Sequence, residues 1–122
     1  MSGDTTVVVA EDDDDVRELV EHTLEGFYEV EGIADGTACW ERLQEQPRPD
    51  AVILDVMLPG IDGAELLERI RTDERLADLP VVILTGRSRE DIDIEEYDIG
   101  VTEYVGKPFS PNALRELLDD LM

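Results

Sequence analysis

The stretch Ala51-Val52-Ile53-Leu54-Asp55-Val56-Met57-Leu58-Pro59-Gly60 decides the fold. An apolar run from Ala51 to Leu54 ends in a carboxylate, and Pro59 and Gly60 then stop regular structure. A short apolar run bounded by turn signals reads as a buried strand. Asp55 therefore stands at the carboxyl end of a central strand, the edge where ligands bind in open α/β sheets. An ionised carboxylate there is costly unless a positive group meets it.

The flanking sequence repeats the pattern. Thr6 to Ala10 is a β-branched run that reads as a second buried strand. It ends in the acids Glu11 to Asp15, which pass into a helix carrying Val16, Leu19, Val20 and Leu24 at helical spacing; Gly26 is expected to end it. Phe27 to Glu31 alternates as an outer strand would. Asp35-Gly36 opens a turn or helix with Ala38, Cys39, Trp40 and Leu43 on one face, running up to Pro47. Beyond Gly60, Asp62-Gly63 leads into a helix with Ala64, Leu66, Leu67 and Ile70 inward, ending near Asp73. Pro80 to Leu84 is a fourth strand, followed by Thr85. Ser88 to Tyr97 reads as a helix, Val101 to Val105 as a fifth strand, and Ser110-Pro111 opens a last helix with Leu114, Leu117, Leu118 and Leu121 inward. Five β-then-α units predict an α/β domain with a mostly parallel sheet and helices on both faces.

Composition sets outer limits. The 122 residues suffice for one domain with its own core. No apolar run approaches a membrane span and no signal peptide opens the chain, so a cytoplasmic location is expected. The single cysteine, Cys39, excludes an internal disulfide. Asp and Glu number 32 against 10 basic residues, a net charge of −22, which would repel nucleic acid. Nine of the ten basic residues are Arg, and Lys107 is the single Lys. Self-repulsion of this size destabilises a compact state at low ionic strength and is screened in concentrated salt. The chain is therefore expected to come from a high-salt cytoplasm, such as that of a halophile.

Polar residues fall at the ends of several strands: Glu11 and Asp12 after the first, Asp55 on the third, Thr85 after the fourth and Lys107 after the fifth. Parallel strands bring these to one edge. Three crowded carboxylates repel one another, and an all-oxygen donor set favours Mg²⁺ as the ion that relieves this. Lys107 adds a second positive charge. Asp14 and Asp15 read as a solvated helix start, Cys39 and Trp40 as packing residues, and His22 as a surface residue.

From Thr6 to Met122 the chain resembles the receiver domain of two-component response regulators, the CheY-like superfamily. The carrying residues are Glu11-Asp12, Leu54-Asp55 with Met57 to Gly60, Asp62-Gly63, Leu84-Thr85, and Tyr104 to Phe109. The resemblance implies a doubly wound (βα)5, flavodoxin-like fold with strand order 2-1-3-4-5. It implies that Asp55 is the phosphoacceptor for a sensor histidine kinase. Mg²⁺ would be bound by Asp12, Asp55 and the Met57 carbonyl, with Glu11 acting through a water. Thr85 and Lys107 would contact the phosphoryl group, Tyr104 would be the switch aromatic, and the Lys107–Pro108 bond would be cis. Such a domain catalyses only its own phosphotransfer and dephosphorylation. It acts on an output domain or target that the sequence does not name, and it either stands alone or heads a longer regulator.

Some positions depart from the common pattern: Glu11 stands where Asp is frequent and Gly86 where Ala is usual, and the resemblance implies that Met57 and Arg87 occupy positions that shape access for hydrolytic water. The last helix pair presents an acidic face (Asp91, Asp93, Glu95, Glu96, Glu103, Asp119, Asp120), so a monomer, or a dimer that is weak unless salt is high, is expected. A flavodoxin-like cofactor binder would need a phosphate-cradling loop after the first strand, where Glu11 to Asp15 stand. An aspartyl-phosphate hydrolase would usually carry an acid where Met57 stands. A receiver-like interaction module that is never phosphorylated is the remaining alternative.

Overall fold

The computed structural model describes residues 5–85, 103–106 and 110–121. Its strands are β1 (Thr6–Ala10), β2 (Glu29–Ile33), β3 (Ala51–Asp55), β4 (Val81–Thr85) and β5 (Glu103–Gly106). They form one sheet in the order β2-β1-β3-β4-β5, with every neighbouring pair parallel. The described helices are α1 (Asp14–Leu24), α2 (Gly36–Leu43), α3 (Gly63–Thr72) and α4 (Pro111–Leu121). This is the doubly wound receiver topology that the resemblance implied.

Strand periodicity sorts the core into two layers, because successive side chains point to opposite faces. Val8, Ala10, Val52, Leu54, Val81 and Ile83 pack with Cys39 and Leu43 of α2 and with Leu66, Leu67 and Ile70 of α3. Val7, Val9, Ala51, Ile53, Val82 and Leu84 pack with Val20 and Leu24 of α1 and with Leu114 and Leu118 of α4. All five residues of β3 are buried, as expected of a central parallel strand covered on both faces.

Three of the helices start on an aspartate. Asp13, Asp35 and Asp62 accept from the amides of Val16 (3.1 Å), Ala38 (2.7 Å) and Glu65 (2.9 Å). Each such cap contributes about 1 kcal/mol. Arg71 ties down the approach to β4 by donating to the carbonyls of Ala77 and Leu79.

Several boundaries differ from the sequence expectation. The outer strand is Glu29–Ile33 rather than Phe27–Glu31, because the amides of Phe27 and Tyr28 both donate to the Leu24 carbonyl and finish the turn after α1. Gly26 does not supply a left-handed cap; Glu25 caps α1 in the right-handed region. Helix α2 stops at Leu43, short of Pro47. Thr85 belongs to β4, and β5 extends to Gly106. The helix expected over Ser88–Tyr97 and the cis bond expected before Pro108 lie outside the described residues; a cis bond occurs at Gln46–Pro47.

Candidate phosphoacceptor and cation site

Register places the site. Ala10 pairs with Leu54 and Asp55 with Leu84, so β1, β3 and β4 end together at one edge of the sheet. Glu11 follows β1 directly and is fully buried, with its amide donating to the Ile33 carbonyl at 3.0 Å. Asp12 is exposed. Asp55 is 7% exposed. One carboxylate oxygen from each of Glu11, Asp12 and Asp55 lies within 4.8 Å of the others. Among the described residues, the buried charged side chains are Glu11 and Asp55.

Concentrating buried negative charge this way is unfavourable unless positive charge meets it, and a bound cation can supply that. Carboxylates converging from two strand ends form a hard oxygen donor set, so these residues fit Mg²⁺. That ion tolerates few protein ligands and retains waters, which suits a site with one open, exposed side at Asp12.

The loop after Asp55 is held to it. The Met57 amide donates to Asp55 Oδ1 at 3.1 Å, while the Met57 side chain is 60% exposed. Gly60 adopts φ +77°, a left-handed conformation open to glycine at little cost. Gly63 begins α3 so close to β3 that a Cβ would lie 2.8 Å from the Asp55 carbonyl oxygen. Its amide donates to the Val56 carbonyl at 3.3 Å. A side chain at position 63 would push α3 off β3.

The other expected site residues are placed to different degrees. The backbone of Thr85 pairs with Gly106 at the same edge; its side chain lies outside the described residues. Lys107 follows Gly106 in sequence and also lies outside them. Tyr104 pairs with Ile83 and is half-buried, packed against the core layer of α2 and α3. Cys39 is a packing residue, and burial pushes its thiol up to about 12. Trp40 packs at the margin of the same layer, with the Arg69 guanidinium 5.7 Å from its ring centre. His22 is exposed on α1 beside Glu25.

One residue of the site's surroundings escaped the sequence reading. Arg17 of α1 donates through Nη1 to the Glu11 carbonyl at 2.9 Å. Its spacing to Asp14 and Glu21 on one helix predicts ion pairs, but its reach across the β1–α1 loop has no signature in residue type.

Comparison with known proteins agrees with this fold. The family described as response regulator receiver domain matches residues 7–119. The chain is 35% identical over 111 residues to the phosphate regulon transcriptional regulatory protein PhoB of Pseudomonas aeruginosa, covering 89% of this chain and 48% of that protein. It spans about half the length of the first curated relatives it matches. Among solved structures, chemotaxis response regulator CheY4 of Vibrio cholerae superposes with a TM-score of 0.87 at 30% identity, covering 97% of this chain and 98% of that one. The receiver domain of a Pseudomonas aeruginosa sensor histidine kinase, solved with a magnesium ion coordinated in its active-site cleft, gives 0.87 at 28% identity, with 96% of each chain covered.

Proposed function

This chain belongs to the response regulator receiver domain family, whose members are phosphorylation-dependent signalling domains, and from that premise we propose that Asp55 is its phosphoacceptor. The observation that carries the assignment is the meeting of the Glu11 and Asp12 carboxylates with a buried Asp55 at the strand-end edge of the sheet. A carboxylate oxygen of Asp55 attacks the phosphorus of a phosphohistidine on a sensor histidine kinase. The new O–P bond forms as the N–P bond breaks, and the electron pair leaves with the imidazole nitrogen.

Asp12, Asp55 and the Met57 carbonyl would hold Mg²⁺, with Glu11 acting through a bound water. The magnesium ion in the cleft of the kinase receiver relative supports Mg²⁺ as the ion, and the converging Glu11, Asp12 and Asp55 carboxylates support the acidic donors. When bound, the ion offsets negative charge on the transferring phosphoryl oxygens. The Lys107 ammonium neutralises a further part of that charge, and the Thr85 hydroxyl donates to the aspartyl phosphate. Tyr104, half-buried beside Ile83, turns inward as Thr85 moves and carries the change to an output domain or target protein. The net charge of −22 supports a salt-adapted protein that does not itself bind nucleic acid and is a monomer or a weak, salt-dependent dimer.

Incubation with Mg²⁺ and acetyl phosphate tests the reading. The intact mass should rise by one phosphoryl group in the wild type and not in Asp55→Asn. Absence of the adduct at every salt concentration would favour an interaction module that works unphosphorylated.

A further inference from the structure

Glu11 stands where β1 gives way to α1, and both of its backbone polar groups are held. Its amide is bound by the Ile33 carbonyl at 3.0 Å. Its carbonyl accepts from Arg17 Nη1 at 2.9 Å. The first contact is main chain to main chain and is independent of side-chain identity. The second depends on one guanidinium reaching back from the first turns of α1.

That guanidinium is itself fixed. Its Nη2 meets Asp14 Oδ1 at 2.5 Å, its Nε lies 3.7 Å from Glu21 Oε1, and its side chain is 18% exposed. The two acids offset its charge, so the brace does not set an uncompensated cation beside a site that must attract one. Strand β2 leaves the room. A Cβ at Gly32 would come within 1.8 Å of Glu21 Oε1 and 3.1 Å of Arg17 Cδ.

We propose that Arg17 is a positioning residue for the cation site: by holding the Glu11 carbonyl it fixes the peptide that aims Asp12 at Asp55, and Gly32 leaves the space in which this brace lies. The proposal rests on the reading of Glu11, Asp12 and Asp55 as the Mg²⁺ donor set. The three carboxylates repel one another, and the exposed Asp12 takes its direction from the backbone. A loosened Glu11–Asp12 peptide would let the carboxylates drift apart, and the ion would then have to reassemble them. Losing a group that orients metal ligands typically weakens metal binding by about 10- to 100-fold. A brace acting through the backbone belongs at the lower end of that range.

Calorimetric titration with Mg²⁺ alone, on the wild type and on Arg17→Ala, Arg17→Lys, Gly32→Ala and Asp55→Asn, tests this. The Mg²⁺ Kd should rise about tenfold in Arg17→Ala. It should rise by less in Arg17→Lys, which keeps the charge but loses the fork, and in Gly32→Ala, which displaces the brace without removing it. At saturating Mg²⁺ the Arg17 and Gly32 variants should still take up a phosphoryl group from acetyl phosphate, as Asp55→Asn does not, because the defect lies in assembling the site. A folded Arg17→Ala with wild-type Mg²⁺ affinity would overturn the proposal, since an ion pair that merely stabilises α1 leaves that affinity unchanged. If Arg17→Ala does not fold, wild-type affinity in both Arg17→Lys and Gly32→Ala overturns it equally. A wild type whose Mg²⁺ binding is absent, or is unaffected by Asp55→Asn, would overturn the donor set itself, and so distinguishes the two failures.

Discussion

The Tyr28 hydroxyl donates to Asp119 Oδ1, joining the turn before β2 to the end of α4 across ninety-one residues of sequence. Arg115 reinforces the junction: its guanidinium lies 4.6 Å from the centre of the Phe27 ring and 3.3 Å from Asp119 Oδ2. The last helix of the domain is thereby fastened to the α1–β2 corner by polar contacts as well as by Leu114 and Leu118 in the core.

That fastening titrates. Burial, and then the bond to Asp119, pushes the Tyr28 phenol up to about 12. An unfolded phenol ionises near pH 10, at about 10. The folded state therefore holds this proton more tightly. The resulting stabilisation is complete below about pH 10 and is lost as pH rises toward about 12. The urea midpoint should fall across that window, and Tyr28→Phe should flatten the fall. At neutral pH the same substitution should cost about 1 kcal/mol, the net value of one hydrogen bond.

Salt should stabilise this chain. At −22 the general repulsion outweighs the surface ion pairs, such as Arg69 with Glu65 and Arg115 with Asp119, each contributing about 0.3–0.5 kcal/mol. The screening length shrinks from about 10 Å at 0.1 M to about 3 Å at 1 M. Each kcal/mol of repulsion removed should raise the Tm of a domain this size by about 4 °C. Thermal melts in low and molar KCl measure it; a Tm that stays level or falls would show that self-repulsion is not what limits stability.

The α3 cap can be separated from the chemistry. Asp62 accepts from the Glu65 amide at 2.9 Å, and its loss in Asp62→Ala should cost about 1 kcal/mol. The variant should still take up a phosphoryl group from acetyl phosphate, because Gly63 and the Val56 carbonyl continue to seat the helix start against β3. Chemical denaturation and intact-mass measurement read the two effects separately.

The strands that carry the site were legible because they are buried on both faces, and continuous apolar runs such as Val7–Ala10 and Ala51–Leu54 have few other readings. The parallel arrangement then brought Glu11, Asp12 and Asp55 to one edge without further information. The outer strand β2 was misplaced by two residues because its burial is partial and its pattern weak. Phe27 looked like a strand residue, yet it is 45% exposed and lies under Arg115. Arg17 was invisible as a brace because its target, the Glu11 carbonyl, is a group every residue possesses. The positions of Lys107 and of the Thr85 hydroxyl lie outside the described residues, so their part in the site rests on spacing and resemblance.

Asp55→Asn should move stability and cation response in opposite directions. Asp55 is 7% exposed and shares a 4.8 Å neighbourhood with the Glu11 and Asp12 carboxylates. Two unit charges at such a distance repel by about 1 kcal/mol in water and more where solvent is excluded. Asparagine keeps an oxygen in the Oδ1 position that accepts from the Met57 amide, so the loop contact survives while the charge goes. Without Mg²⁺ the variant should be more stable than the wild type by about 1 kcal/mol or more. With Mg²⁺ the order should reverse, since a ligand that binds the folded state stabilises it in proportion to the logarithm of its concentration over Kd. Melting curves of both proteins in chelator and in millimolar Mg²⁺ measure this crossing. A variant less stable than the wild type in chelator would mean that the carboxylate's favourable contacts outweigh its repulsion from Glu11 and Asp12.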